Sequence, residues 1–114
     1  MLFRSLADSL RTQGLFTEAI IEYTRLSPIV AKDPNSPFNK ILQIWPVYCH
    51  IKLYEIYAPL SAKDKRYAEA AGKVFNSAVQ GLKKLDEEPP ARNTNEYSLY
   101  KLIRSLIQIG RAHV

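Results

Sequence analysis

The stretch "KDKRYAEAAGKVFNSAVQGLKKL", Lys63 to Leu85, decides the fold class. Tyr67, Ala70, Ala71, Val74, Ala78, Leu82 and Leu85 form its clearest apolar series, and most of them advance by three or four positions at a time. That spacing lays one stripe along a helix of 3.6 residues per turn. A strand would need alternation with a period of two, and none is present. The segment is therefore read as an amphipathic helix from Lys63 to Leu85. The "SAKD" before it, Ser61 to Asp64, has the form of a capping box, with Ser61 accepting from the amide near Asp64 and Asp64 reaching back.

Working outward, the same period recurs on both sides. Upstream, "FNKILQIWPVYCHIKLYEIYA" is apolar and aromatic around most of a helical circumference. Val47, Ile51, Tyr54 and Ala58 share one face, and Ile44, Tyr48 and Tyr57 widen it. A helix of this kind is sandwiched between neighbours. Pro46 either kinks one long helix or opens a new one in its first turn, where the missing N–H costs nothing. Pro59 ends the segment. Further upstream "AKDPNSP" is a loop, and Ser27-Pro28 disfavours continuation of the helix before it. That helix carries Phe16, Ala19, Ile20 and Tyr23 at helical spacing, with Thr17 as its predicted N-cap. Gln13-Gly14 separates it from a first stripe of Leu6, Ala7 and Leu10. Downstream, "DEEPPARN" is a connector. Asn93 and Glu96 form a cap pair, and Leu99, Leu102, Ile103 and Leu106 begin a last helix. The expected fold is all-α, with antiparallel helix pairs and about five helices.

Two stretches share a grammar: "TQGLFTEAIIEY" and "KDKRYAEAAGKVF". Each has an aromatic, an Ala three positions on, and a bulky residue four beyond that: Phe16, Ala19, Tyr23 and Tyr67, Ala70, Val74. The small Ala lets two helices approach while the aromatics fill the space beside it. This resembles the tetratricopeptide repeat. In the first unit Leu6, Ala7, Leu10, Gly14, Phe16, Ala19, Tyr23 and Leu26 fall at positions of that pattern. Ala7 stands for the usual Gly, Leu10 for Tyr and Leu26 for Ala, and the closing proline comes late, near Pro34. The second unit matches at Tyr67, Ala70, Val74 and Ser77. Its first helix does not align without a gap, because Pro59 interrupts it. The two Ala positions lie 51 residues apart, against the repeat's usual ~34. The resemblance implies a fragment of an α-solenoid of stacked helix pairs, whose role is to hold a protein or peptide partner in a concave groove. Adjacent repeats of a longer chain would then cover its outer faces.

Composition narrows the function classes. Of the 114 residues, 46% are apolar and 24% charged, which is globular rather than disordered. The formal charge of +5 is too mild to argue for nucleic acid. "KDKR" at Lys63 to Arg66 and "KK" at Lys83-Lys84 are the basic spots, and Asp86, Glu87 and Glu88 offset the second. Cys49 is the single cysteine, so an internal disulfide or cysteine metal cluster is excluded. No apolar run is long enough to cross a membrane. His50 has no second histidine, cysteine or acid at ligand spacing and reads as a structural residue, as does Cys49. Glu18, Glu22, Glu55 and Glu69 fall on faces expected to be solvated, and no glycine-rich phosphate loop occurs. No catalytic, cofactor or metal residue is assigned, no cofactor is expected, and the binding residues stay unspecified. Of the seven tyrosines, Tyr48, Tyr57, Tyr97 and Tyr100 are the hardest to bury together, and tyrosine suits interfaces.

The two ends carry a further expectation. "IGRAHV" with a stop reads back to ATC-GGA-AGA-GCA-CAC-GTC-TGA. "MLFRS" reads back to GTG-CTC-TTC-CGA-TCT, with GTG as start codon. The two strings are opposite strands of one short-read sequencing adapter. Residues 1–5 and 108–114 are therefore expected to be adapter-derived, with Gln108 at the junction. The segment 6–107 is then an internal piece of a longer reading frame, its last helix cut where the adapter begins. Without Arg4 and Arg111 the net charge falls to about +3. The expected function is protein–protein interaction or scaffolding within a larger protein, with a cytoplasmic setting by default. Three alternatives stay open. One is a helical accessory region of an enzyme whose catalytic domain lies elsewhere. The others are a small three-helix trafficking adaptor and a nucleic-acid-binding helical module.

Overall fold

A helix that is apolar round most of its circumference must be covered from several directions, and the architecture is arranged to do this. The computed structural model describes the backbone of residues 2–112 and the side chains of residues 5–112. Within it lie five helices: α1 (Leu2–Thr12), α2 (Phe16–Ala31), α3 (Phe38–Tyr57), α4 (Lys65–Glu87) and α5 (Asn95–Ala112). There is no strand among the described residues, and the fold is all-α. Met1, His113 and Val114, all within the stretches read as adapter-derived, lie outside the described residues.

Helix α3 is the hub, packed against α2, α4 and α5. It divides its side chains between two clusters. Ile41, Leu42 and Cys49 join Ala7, Ala19, Tyr23 and Leu26 from α1 and α2. Ile44, Val47 and Ile51 join Ala78, Leu82 and Leu85 of α4 and Tyr100, Ile103 and Ile107 of α5. Tyr48 and Leu99 touch both clusters and make them continuous. Val47 lies against Gly81, and Tyr54 stacks on Phe75 with ring centroids 4.8 Å apart. An earlier residue of α3 thus meets a later one of α4, so these helices are antiparallel. Phe75 also meets Gly110, and the Tyr100 hydroxyl donates to Asp86, so α4 and α5 are antiparallel too. Helices α3 and α5 therefore run in the same direction.

Pro46 sits inside a continuous α3, the first of the two readings left open by the sequence. An interior proline costs about 3 kcal/mol. Ile44, Val47 and Cys49, within one turn of it, are buried to 3% exposure or less. Full burial contributes roughly 1.5–3 kcal/mol for each large apolar side chain, so packing holds the helix through the break. Pro28 does not end α2 either: the helix continues to Ala31. Leu26 and Val30, on either side of the proline, both pack on the α3 cluster and hold the last turn in place.

The turn at Gly14 is as expected. Gly14 has φ +81°, the Leu15 N–H donates to the Leu10 carbonyl at 2.9 Å, and the Gly14 N–H donates to the Arg11 carbonyl at 3.0 Å. This pair of bonds is the Schellman arrangement, which needs a left-handed residue after the helix.

The caps differ from expectation. Thr17 is not the N-cap of α2: the Schellman turn leads straight into Phe16, Leu15 takes the cap position, and Thr17 falls within the first turn. Ser61 does not cap α4. Its hydroxyl donates to the Ala58 carbonyl in the 3₁₀ turn Ala58–Leu60, while Asp64 adopts extended backbone and accepts from the Arg66 N–H at 2.8 Å. The helix consequently starts at Lys65 rather than Lys63 and ends at Glu87. For α5 the cap is Thr94, whose hydroxyl accepts from the Tyr97 N–H at 3.2 Å, one position later than Asn93.

Helix α5 continues past Ile107 to Ala112 because Gly110 lies on the same buried face as Ile103 and Ile107. That face is centred on Tyr100, Ile103 and Ile107, which leaves Leu102 47% exposed. Tyr67, placed on the buried stripe of α4 by its spacing, is likewise on the surface.

A polar knot fastens α1 to this core. Tyr23 is fully buried. Its hydroxyl donates to the Asp8 carboxylate and accepts from Arg11 Nε at 3.0 Å, while the Arg11 guanidinium lies 3.4 Å from the centre of the Trp45 ring on α3. Burial first, then the hydrogen bond to Asp8, raises the Tyr23 phenol well above its ordinary value, so the hydroxyl remains a donor.

The two glycines of α4 separate helix propensity from packing. A Cβ at Gly72 meets nothing, whereas one at Gly81 would lie 2.5 Å from Val47 Cγ2. Gly72→Ala should raise the midpoint of thermal unfolding, gaining up to ~1 kcal/mol or roughly 4 °C. Gly81→Ala should lower stability by about 1–2 kcal/mol despite the same propensity gain, because overpacking costs more. Adding Val47→Ala should recover part of that loss. Thermal unfolding of the three variants checks this.

Candidate functional site

Two grooves flank the contact between α3 and α4, one at each end. The first is lined mainly by apolar side chains, with Asn76 among them. Tyr54 and Phe75 form its wall, Ala68, Ala71 and Gly72 its small-residue floor, and Val79 its far side; it encloses about 710 Å³. The absence of large side chains along this part of α4 is what opens it, because Ala68, Ala71 and Gly72 fall on adjacent turns. Ala58 and Ser61, in and just after the 3₁₀ turn, close one edge, and Arg111 sits at another.

The second groove encloses about 450 Å³ between α2, α3 and α4. Its lining carries more polar side chains. Thr24 and Ser27 come from α2, Gln43 and His50 from α3, and Asn76, Ser77, Gln80 and Lys84 from α4. Pro46, Leu42 and the Val47–Gly81 contact make the floor. Groups capable of hydrogen bonding thus surround an apolar base, the usual composition of a recognition site. Apart from a solitary His50, nothing in the sequence pattern signals this groove, since its residues come from three separated segments.

Residues singled out in the sequence fall as follows. Cys49 is fully buried, and burial pushes its thiol up to about 12, so it stays protonated and inert at neutral pH. His50 is half-buried; its Nδ1 is shielded from solvent and has no hydrogen-bond partner. Burial lowers its pKa below the ordinary 6.5, because a charged ring there would be poorly solvated. Arg66 is held by Asp64, with Nη2 to Oδ2 at 2.8 Å, and this lowers the Asp64 pKa; the basic spot at Lys63 to Arg66 is partly neutralised within itself. Glu18, Glu55 and Glu69 are exposed, while Glu22 is half-buried and bonded to Arg25 at 2.8 Å. Tyr48, Tyr57 and Tyr97 are half-buried and Tyr100 is buried, so the tyrosine rings mostly serve packing. Among the described residues no group of three or more His, Cys, Asp or Glu is placed to hold a metal ion, and no helix is long and apolar enough to cross a membrane.

Comparison with protein-family models, with curated proteins and with solved structures yields no match.

The shielded His50 ring gives a pH signature. Its folded pKa lies below the unfolded value, so as pH falls the unfolded chain takes up the proton first. The stabilisation from the neutral ring is complete above the ordinary value of about 6.5 and declines as pH drops through it. Stability measured by urea unfolding should therefore fall between about pH 7.5 and 5.5, and His50→Gln should flatten that slope. An unchanged slope in the variant would mean that His50 is solvated in the folded state.

Proposed function

We propose that the chain is a protein-interaction segment, a tetratricopeptide-like stack of helix pairs that holds part of a partner protein and performs no chemistry of its own. The observation that carries this reading is the apolar groove at Tyr54, Phe75 and Gly72. It is open, about 710 Å³ in volume and floored by small residues, a shape suited to the apolar side chains of a docking helix. Two further features support it. Helices α3 and α5 run in the same direction beside α4, as successive helix pairs of a stack do. Leu6, Ile21, Ile29 and Leu102 are each at least 47% exposed, and such side chains are covered when neighbouring units or partners pack on them. Cys49 and His50, the residues best suited to nucleophilic or acid–base chemistry, are respectively buried as a thiol and without a hydrogen-bond partner at Nδ1.

The reading is tested by selecting random displayed peptides on the full chain and measuring their affinity by fluorescence anisotropy. Peptides with apolar residues at helical spacing should be enriched. Gly72→Leu should fill the groove and weaken their binding at least tenfold without lowering the midpoint of unfolding, since a Cβ at this position meets no neighbour. Undiminished binding by this variant would remove the apolar groove as the carrier of function.

A further inference from the structure

The polar groove has properties that core packing does not explain. Each of the two interior prolines stands four residues after a lining residue of this groove: Pro28 after Thr24, and Pro46 after Leu42. Proline has no N–H, so the carbonyls of Thr24 and Leu42 both lose their normal helical donor. The two residues whose carbonyls lose a helical donor thus both line the same cleft. Opposite them α4 presents Asn76 and Gln80, with Gln43 beside them on α3. Each primary amide carries both a donor and an acceptor, the complement of a peptide group. Lys84 is the one charged residue of the lining, no acid accompanies it, and no ion-pair partner holds it among the described residues.

Length fits the same ligand. Asn76 to Lys84 spans about 12 Å of helix, and an extended chain covers that with about three or four residues. A helical ligand has its own amides satisfied and would leave these groups unused.

We propose that the groove between α2, α3 and α4 binds an extended peptide segment bearing an acidic side chain, with Lys84 pairing the carboxylate and Gln43, Asn76 and Gln80 pairing the main chain. This rests on the reading of the chain as an interaction module but uses a groove that shares only Asn76 with the apolar one.

The test uses the full chain carrying Gly72→Leu, so that the apolar groove is blocked, as bait for displayed random peptides. The enriched peptides should share one Asp or Glu at a fixed position within a short motif. Lys84→Glu should weaken their binding at least tenfold, and replacing the shared acid by Lys should restore binding to that variant. Gln80→Ala should weaken both pairings, since it removes a main-chain contact rather than a charge. Lys84 is exposed on its helix, so its variant tests the contact rather than the fold. Peptides that bind equally well to the Lys84→Glu variant would overturn the proposal. Enrichment on the unblocked chain with none on the blocked chain would also overturn it while leaving the interaction reading intact. No enrichment on either chain would overturn both.

Discussion

Coverage of α3 is the constraint from which the remaining structure follows. Its buried residues point to two sides, Ile41, Leu42 and Cys49 to one and Ile44, Val47 and Ile51 to the other. A single partner helix could cover one side only. Two helix pairs, one on each side, bury both, and this is what α1–α2 and α4–α5 supply. The approach of α4 is the tightest part. Gly81 has no side chain where Val47 comes closest, and that allows Ala78, Leu82 and Leu85 to reach the core on either side of the contact. Side-chain contacts across such an interface are individually weak, so close approach over several turns is what makes them add up.

The apolar period carried the topology in the sequence because burial of apolar surface is the dominant driving force of folding and has a fixed geometric repeat along a helix. Ala71, Ala78, Leu82 and Leu85 lie where the spacing of α4 put them, and Gly14 turns the chain because only glycine takes that left-handed conformation readily. The caps were less legible. A cap depends on which single residue leaves helical backbone, and Ser, Thr, Asp and Asn compete for that role over two or three positions. Asp64 displaced Ser61 and Thr94 displaced Asn93 for this reason. The prolines misled in one case: Pro28 reads as a helix end by local preference, yet Leu26 and Val30 are anchored on α3 and the helix persists. Tertiary packing overrode a local rule whose cost is comparable to the burial of one or two side chains.

The candidate sites were hidden from the sequence for a different physical reason. A groove is defined by where side chains stop, and small or polar residues at its edge look like any solvated helix face. Ala68, Ala71 and Gly72 form a floor only because Tyr54 and Phe75 rise beside them. His50 stood out in the sequence as a solitary histidine, but its significance depends on α2 and α4 closing over it. Periodicity cannot supply that, because the lining of the polar groove joins residues separated by up to 60 positions, from Thr24 to Lys84.

The two prolines connect stability to the proposed recognition. Each costs its helix a hydrogen bond, and a fold under selection for stability alone would favour residues that keep it. Both breaks instead fall four residues after a residue lining the same cleft, Thr24 and Leu42, in helices whose remaining contacts absorb the loss. In the apolar groove the departure is of the opposite kind, with Gly72 leaving an open space where a larger residue would stabilise the helix. In both places the sequence departs from what the core alone requires, and both lie beside the α3–α4 interface, where Val47 meets Gly81 and Tyr54 meets Phe75. Local choices that weaken a helix beside a close interhelical contact suit the proposed binding surfaces, which need exposed groups held on well-packed elements.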